Sequence, residues 1–383
     1  MRKAKGTPSI TYQGDLEDGA IYLFKCGEKE TILSPSDDEL PAIIGRFEES
    51  NGNGIPPSMA AYLQETASEI AYKANAPTTA NAPRKVAKAT ATTSKRVTVE
   101  PLIKATWNQG APYNEGLKFD GKSVIVGCNA VAIGMIMLYW AKKGYRRGCT
   151  ATKAYTSKTA KFKVPSLPPV MSFDYDNMTY SKPSTTEQKK AVADILRHIG
   201  YALQSDYTTN LTTAPVANDV TVLAKSLRMG NTKRTLARSG YAAWEEQIYN
   251  EIANERPVLV LGCTSSGGCH IFVVDGYNAD TDMYHVNWGW GGSCNGYFRL
   301  SVLDATSAKA YSSNKQAIIG ICPTYKLGDV NGDGEVSITD AMKVVELAAQ
   351  GSTDPKADVN SDGKVTTADA EAVIEHVLGT HKL

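Results

Sequence analysis

Residues 127–140 read GCNAVAIGMIMLYW, and residues 267–278 read GGCHIFVVDGYN. In the first stretch, a glycine and Cys128 open a long apolar run that predicts a buried helix beginning at the cysteine. Its sulfur then lies at a helix N-terminus, where the positive end of the helix dipole favours the thiolate, the nucleophilic form of cysteine. A buried structural cysteine is the ordinary alternative, so the neighbouring residues decide between the two.

The second stretch offers a base for this cysteine. His270 begins the strand HIFVVDG, and the strand MYHVNWGW returns after a turn through residues 278–281, which predicts a β-hairpin. A turn centred near residues 278–279 places Asn287 across from His270. Cys128, His270 and Asn287 would then supply the nucleophile, the base and the group that orients the base.

Other residues compete for these roles. His285 shares a strand face with Asn287 by alternation and is the alternative base, although it lies closer to the turn. His198 lies in the helical pattern VADILRHIGYAL and is expected to be a helix-surface or packing residue and not a base. Cys263 and Cys269 flank the segment TSSGG, where either a local disulfide or two loop thiols would explain them.

Composition restricts the class of protein. The 383 residues include 41 Lys and Arg against 40 Asp and Glu. The formal net charge of +1 is too small to draw the chain to nucleic acid or to an anionic membrane. The longest apolar run, residues 124–140, approaches the length of a membrane span, but Asn129 interrupts it, and a core helix is expected instead. Residues 1–30 hold no apolar stretch long enough for the core of a secretory signal.

Changes in composition along the chain predict four segments. Residues 1–72 combine the strand-like pieces ITYQG, AIYLFKCG and ETILSP with a helical pattern near MAAYLQETASEI. Residues 73–104 form a basic linker, since residues 73–98 are rich in Ala, Thr, Pro and Lys without one acidic residue and cannot bury a core. The main globular domain covers residues 105–325, and residues 327–383 form a separate duplicated module.

The duplicated module contains two loops with the spacing of calcium ligands. The first loop, DVNGDGEVSITD, would use Asp329, Asn331, Asp333, the Glu335 carbonyl, Ser337 and Asp340. The second loop, DVNSDGKVTTAD, would use Asp358, Asn360, Asp362, the Lys364 carbonyl, Thr366 and Asp369. A hard cation needs several oxygens around one point, and the glycine at the sixth position permits the sharp turn that gathers them. Two bound Ca²⁺ ions are therefore predicted.

This module resembles the type I dockerin domain, in which two calcium loops hold helices that bind a cohesin domain on a scaffold or cell surface. An aspartate at the last loop position, here Asp340 and Asp369, is usual in that family. The resemblance implies partner contacts at Ile338 and Thr339 in the first loop, and at Thr367 and Ala368 in the second. A calcium-stabilised tail without a cohesin partner is the alternative.

The main domain resembles the streptopain family of cysteine peptidases, the C10 group. The resemblance rests on WNQGAPYN at 107–114, GCNAVAIGMIM at 127–137, GGCHIFVVDGYN at 267–278 and YHVNWGWGGSCNGYFRL at 284–300. It implies an α+β, papain-like fold with an N-terminal helical part and a C-terminal antiparallel sheet. By position it implies that Cys128 is the nucleophile, His270 the base, Asn287 its orienting group and Trp288 a shield over that pair. Gln109 would donate to the developing oxyanion together with the Cys128 backbone N–H.

The spacing and the first segment agree with this resemblance. His270 follows Cys128 by 142 residues, within the roughly 130–150 typical of papain-like chains. Residues 20–70 resemble the family's α+β propeptide, which keeps the enzyme inactive, and the small dockerin would be all-α. Two regions depart from the family, VLGCTSSGGC before His270 and SDYTTNLTTAP at 205–215, so the subsite preference is not transferred.

The function implied is a secreted endopeptidase zymogen that cleaves protein substrates and is anchored to a cohesin scaffold. Activation would cut the chain between about Lys73 and Lys104, because exposed unstructured backbone is the preferred site of nicking. One alternative is an inactive, peptidase-like binding or adhesion protein carried by the dockerin. Another keeps the thiol chemistry but acts on cell-wall peptides or transfers acyl groups.

Overall fold

The computed structural model describes residues 10–48, 54–75, 96–230, 232–236, 241–263, 269–302, 315–323, 326–331, 335–354 and 356–383. The chain divides into two compact units. The sheet unit comprises the described parts of residues 1–102 and 234–319, and the helical unit those of residues 103–233 and 320–383. Asp333 and most of the predicted linker lie outside the described residues.

The regular elements are numbered along the chain. The helices are α1 (Pro57–Asn75), α2 (Cys128–Lys142), α3 (Thr186–Ala202), α4 (Val216–Thr221), α5 (Tyr241–Ala253), α6 (Ile338–Ala349) and α7 (Thr367–Val377), with a π-helix at Val222–Ser226. The strands are β1 (Ile10–Leu16), β2 (Ile21–Cys26), β3 (Glu30–Pro35), β4 (Gly45–Glu48), β5 (Lys118–Phe119), β6 (Lys122–Ser123), β7 (Tyr155–Thr156), β8 (Lys163–Val164), β9 (Met229–Gly230), β10 (Lys233–Leu236), β11 (Val258–Cys263), β12 (Cys269–Asn278), β13 (Met283–Asn287), β14 (Gly296–Phe298), β15 (Gln316–Ile319) and β16 (Cys322–Pro323).

One ten-stranded sheet dominates the sheet unit, in the order β1-β2-β3-β4-β14-β13-β12-β11-β15-β10. The first four strands form an antiparallel meander, and β4 adds this meander to β14. Gly296 pairs with Phe47 at this junction, and a Cβ on Gly296 would lie 2.1 Å from the Arg46 carbonyl oxygen. Only glycine therefore allows β4 to approach β14 this closely.

The core of the sheet unit contains side chains from both ends of its sequence. Ile21, Leu33 and Phe47 from the N-terminal strands share one buried cluster with Val260 and Phe298 from the later strands. Helices α1 and α5 both pack on strands β11 and β12. Since the N-terminal segment and the later strands bury apolar surface together, each stabilises the other.

The end of the predicted linker is bonded to the sheet unit, although Val97 in it is exposed. Val99 pairs with Tyr277 through two backbone hydrogen bonds. The Arg96 guanidinium lies 2.6 Å from the Glu246 carboxylate and 4.8 Å from the centre of the Tyr249 ring. Composition does not reveal these contacts, because the acidic and aromatic residues that neutralise and cover the Arg96 side chain lie far away in the sequence.

The helical unit is built around α2. Nearly every residue of α2 is buried, which is typical of a central helix that is apolar on all sides. Helix α3 packs against it, and a Cβ on Gly134 would lie 2.7 Å from the Leu196 side chain. At the start of α3, Thr185 and Gln188 form a capping box.

The calcium module contributes two helices to the helical unit. Helices α6 and α7 begin inside the two loops, at Ile338 and Thr367, as the sequence predicts. They pack on each other around a small core that includes Val344 and Val373. Across both units, the described part of the chain contains no helix long and apolar enough to cross a membrane. The helices and the antiparallel sheet confirm the predicted α+β class.

Candidate active site and calcium loops

Cys128 is the first residue of α2, as predicted. Gly127 precedes it with a φ of 97°, in the region that favours glycine. A Cβ at Gly127 would also lie 2.9 Å from the Thr212 side chain, and the Thr212 hydroxyl donates to the Ile125 carbonyl at 2.7 Å. The segment 205–215, which departs from the streptopain pattern, therefore lies against the chain that leads into Cys128.

A buried polar network adjoins Cys128. The Cys128 sulfur lies 3.4 Å from the Asn129 side-chain oxygen, and the Asn129 amide donates to both Asp219 carboxylate oxygens at 2.9 and 2.8 Å. Burial raises the pKa of Asp219 to about 7, although the hydrogen bond from Asn129 opposes this rise. Sequence reasoning missed Asp219, since its sequence separation of 90 residues from Asn129 leaves no local signal.

Gln109 lies on a loop bonded to the same segment. The Val126 N–H donates to the Gln109 carbonyl at 3.0 Å, two residues before Cys128. The buried Trp107 anchors this loop, because its indole N–H donates to the Thr179 carbonyl at 2.8 Å. The helical unit therefore brings the WNQG motif and the start of α2 together.

His270 lies on β12 in the sheet unit, where it pairs with Gly262 on β11. Partial burial holds the pKa of its imidazole below the usual range, which favours the neutral form of the ring at neutral pH. Next to it, Cys263 and Cys269 join the ends of β11 and β12 in a disulfide. Of the two sequence interpretations of these cysteines, the local disulfide is correct.

The hairpin exists, but its predicted register was wrong. Asn287 pairs with Val273 rather than with His270, and Val274 pairs with Val286. The turn is longer than expected, because the Asn278 side chain accepts hydrogen bonds from the N–H groups of residues 280 and 281 and moves the turn centre along the chain. A bulge at residue 275 moves the register back by one position, so that Asn287 pairs with Val273 and not with Val274.

Asn287 and Trp288 are both buried. The Asn287 side-chain oxygen accepts from the Gly289 N–H at 3.1 Å. The Trp288 ring lies 4.8 Å from the Phe272 ring, and its indole N–H donates to the Cys294 carbonyl at 2.8 Å. This aromatic packing covers the face of β12 to which Phe272 and His270 belong by alternation.

The two other histidines of the main domain have structural partners. His285 pairs with Gly276, and its Nδ1 lies 2.7 Å from the carboxylate of the fully buried Asp275. His198 donates from Nδ1 to the Asp194 carbonyl at 2.9 Å within α3, and burial lowers its pKa. The predicted packing role of His198 is thus confirmed.

Helix α1 lies directly on the Trp288 region of the sheet unit. The Ser58 hydroxyl donates to the Trp288 carbonyl at 3.0 Å, and the Tyr62 ring lies 5.7 Å from the Trp288 ring. Further along α1, the buried Glu69 lies 2.8 Å from Lys315 Nζ. The sequence gives no sign of this ion pair, because its partners are 246 residues apart.

One carboxylate oxygen of the second calcium loop is positioned to accept a cation. Asp358 Oδ2 accepts from the Gly363 N–H at 3.1 Å, whereas Asp358 Oδ1 is buried and has no hydrogen-bond partner among the described residues. A buried carboxylate oxygen without a donor is costly unless a cation satisfies it. The residues of this loop therefore fit Ca²⁺, although the described residues contain no group of three or more Asp, Glu, His or Cys side chains gathered for a metal.

The last position of each loop is shared with a helix cap. Asp340 accepts from the N–H groups of Val330, Asn331 and Ser337, and Asp369 accepts from those of Asn360 and Thr366. Each carboxylate thus ties its loop to the first turn of the following helix. Asp333 of the first loop lies outside the described residues.

Comparison with known proteins identifies the class. The profile of the peptidase C10 family matches residues 107–298, half of the chain, and that of the dockerin type I domain matches residues 327–378. The chain belongs to the peptidase C10 family and is a cysteine peptidase that carries a type I dockerin domain.

Individual relatives agree with this assignment. Streptopain of Streptococcus pyogenes is 26% identical over 346 residues, which cover 82% of this chain and 83% of streptopain. A prointerpain A fragment of Prevotella intermedia superposes with a TM-score of 0.67 at 22% identity and covers 82% of this chain and 99% of the fragment. Active interpain A of the same species gives a TM-score of 0.51 at 24% identity, covering 60% and 97% of the two chains. The predicted papain-like fold is confirmed.

Proposed function

We propose that this chain is the zymogen of an endopeptidase in which Cys128 is the nucleophile and His270 the general base. The observation that carries the proposal is the position of Cys128 at the N-terminus of α2, within the matched C10 region. There the helix dipole favours a thiolate. The depressed pKa of His270 leaves its imidazole neutral and able to accept a proton.

The reaction proceeds in two displacement steps. His270 takes the thiol proton as the Cys128 sulfur attacks the peptide carbonyl carbon, and the imidazolium returns that proton to the leaving amine as the C–N bond breaks. Water, deprotonated by His270, then hydrolyses the thioester and restores the thiol. The side chain of Gln109 and the Cys128 backbone N–H stabilise the oxyanion. Asn287 orients the imidazole, and Trp288 shields it from water.

Residues 1–72 act as the inhibitory propeptide in this proposal, and residues 73–104 as the activation segment. The addition of β4 to β14 and the contact of α1 with Trp288 support this role. Because Arg96 and Val99 are bonded to the sheet unit, the activating cut falls before Arg96. Residues 105–325 form the peptidase domain, and residues 327–383 the dockerin.

The dockerin binds two Ca²⁺ ions and a cohesin domain in this proposal. The unpartnered Asp358 Oδ1 supports cation binding in the second loop. Helix α6 presents the exposed apolar residues Ile338, Met342 and Val345 at spacings that place them on one helix face. Such an apolar stripe on a small domain is typical of a protein-binding surface. Cohesin anchoring and the disulfide both agree with a secreted, extracellular or cell-surface enzyme.

The test is alkylation with iodoacetamide at neutral pH, before and after limited proteolysis of the linker, with peptide mapping of each modified cysteine. We expect Cys128 to react fast only after the cut, at the same time as casein hydrolysis appears. Cys128→Ala is the control and loses both signals. If Cys128 stays inert in the cut protein and no hydrolysis appears, the chain is a peptidase-like binding protein instead. A new N-terminus inside residues 1–72, or beyond Arg96, would contradict the proposed activation cut.

A further inference from the structure

An arginine of the main domain lies on the second calcium loop. Arg228 donates from one terminal nitrogen to the Asp358 backbone carbonyl and from the other to Asp358 Oδ2, the latter at 2.7 Å. The side chains of Arg228 and Asp358 are only 12% and 7% exposed. Solvent therefore screens this ion pair much less than a surface pair.

The backbone holds Arg228 in this position. Arg228 has a φ of 54°, which is uncommon for a residue with a side chain, and it lies between the buried residues Leu227 and Met229. Next to it, β9 pairs with β16, the strand that leads into the module. The buried residues on both sides of Arg228 therefore fix this contact, which does not depend on a flexible surface side chain.

Arg228 contacts one oxygen of the Asp358 carboxylate and leaves the other open to a cation. Asp358 Oδ2 accepts from Arg228 and from the Gly363 N–H, while the buried Oδ1 has no hydrogen-bond partner in the part of the chain that the structure describes. A cation on Oδ1 and the guanidinium on Oδ2 would share one carboxylate. Guanidinium stays charged at any ordinary pH, so its positive charge opposes a second positive charge at the same carboxylate.

The two loops also differ in their own charge. The first loop, residues 329–340, contains four acidic residues and no basic residue. The second, residues 358–369, contains three acidic residues and one lysine, Lys364, in place of Glu335. Calcium loops tune their affinity by the charge of the ligand set. The positive charge of Arg228 adds to the difference in charge between the two loops.

We infer that Arg228 weakens calcium binding in the second loop, so that the two loops of this dockerin fill in order, the first at lower calcium concentration than the second. The inference rests on the proposed calcium binding. It makes Arg228, which lies outside the module, a determinant of the module's calcium response. Helix α6, which carries the exposed apolar stripe, would then be stabilised at lower calcium than helix α7.

The experiment is isothermal titration of the chelator-treated full chain with CaCl₂, in a Cys128→Ala background that prevents self-cleavage. We expect two sites whose dissociation constants differ by about tenfold or more. Asp340→Asn should remove the tight site and Asp369→Asn the weak one. Arg228→Gln should tighten the weak site by about fivefold or more and leave the tight site unchanged.

Two further variants separate charge from packing. Arg228→Lys keeps the charge and should keep the second site weak, whereas Arg197→Gln breaks the unrelated pair with Asp194 and should change neither site. The inference is overturned if Arg228→Gln leaves the weak site unchanged or weakens it, or if Arg228→Lys behaves like Arg228→Gln. Two sites of equal affinity in the parent chain would overturn this inference alone, and no calcium binding at all would also overturn the proposed calcium function.

Discussion

Replacing Glu69 with glutamine should weaken the binding of α1 to the rest of the sheet unit. The Glu69 carboxylate accepts from Lys315 Nζ at 2.8 Å, from the Ser301 hydroxyl at 2.9 Å and from the Val302 N–H at 2.9 Å. Glu69 is 0% exposed and Lys315 is 5% exposed. Glutamine removes the charge that compensates Lys315 and directs an N–H₂ group at the ammonium.

The size of the effect follows from burial. Removing one partner of a buried ion pair costs about 3–5 kcal/mol, because the other charge stays buried without compensation. Lys315 keeps its hydrogen bond to the Leu300 carbonyl at 2.7 Å, and glutamine can still accept from Ser301 or Val302. We therefore expect the lower end, about 3 kcal/mol, which is roughly a 100-fold loss of affinity between α1 and its site.

The assay is urea unfolding in a Cys128→Ala background, followed by tryptophan fluorescence, since Trp244 and Trp288 are both buried in this unit. A double-mutant cycle with Lys315→Met isolates the interaction energy, and the double variant should recover most of the loss. The matched control is Glu30→Gln, which removes a more exposed pair with Arg46 in the same segment and should cost less than about 1 kcal/mol.

A second readout connects stability to latency. In the active sequence background, Glu69→Gln should shorten the lag before casein hydrolysis, because α1 leaves the Trp288 region more often. The reasoning is refuted if Glu69→Gln costs no more than Glu30→Gln, or if the double variant is as unstable as the sum of the two single variants. Either result would mean that Glu69 and Lys315 do not stabilise each other.

Three further predictions concern other parts of the molecule. Burial raises the pKa of Asp219 to about 7, so the folded state holds a proton that the unfolded chain releases near pH 4. The free energy of unfolding should therefore fall by up to about 4 kcal/mol as the pH rises from 4 to 7. Asp219→Asn should remove most of this decrease in urea titrations at several pH values, and an unchanged slope would contradict the assignment. Replacing both Cys263 and Cys269 with serine should lower the free energy of unfolding by about 2 kcal/mol, according to the chain-entropy estimate for a seven-residue loop. In reductant, which also opens the disulfide of the parent protein, this difference in stability should vanish. Met342 is 68% exposed on α6 and should contact cohesin. Met342→Asp should therefore weaken binding to type I cohesins by about tenfold or more in calorimetry. The control Leu378→Asp, at the end of α7, should leave this binding unchanged.

Much of the fold could be predicted because its signals are local. The start of α2 at Cys128 follows from a glycine, a cysteine and the apolar run that continues after Asn129. The helices that begin in the two calcium loops follow from the repeated loop pattern. The hairpin of β12 and β13 was also predictable as an element, because two strand-like runs flank one turn segment.

The register of that hairpin was not predictable in the same way. A polar turn sequence does not show whether its centre lies at residues 278–279 or nearer 281, and the bulge at residue 275 depends on packing. A shift of three positions was enough to pair Asn287 with Val273 and not with His270. Side-chain roles at a site are therefore less predictable than the strands that carry them.

Local sequence patterns were enough to identify the candidate site residues, the two calcium loops and the order of the segments, since each depends on neighbours a few positions apart. Tertiary structure alone decided the partners that lie far apart along the chain. Asn129 meets Asp219, Glu69 meets Lys315, and Arg228 meets Asp358 across 90, 246 and 130 residues. No local pattern encodes these pairs, because a buried charge finds its partner only where packing of the whole chain excludes water.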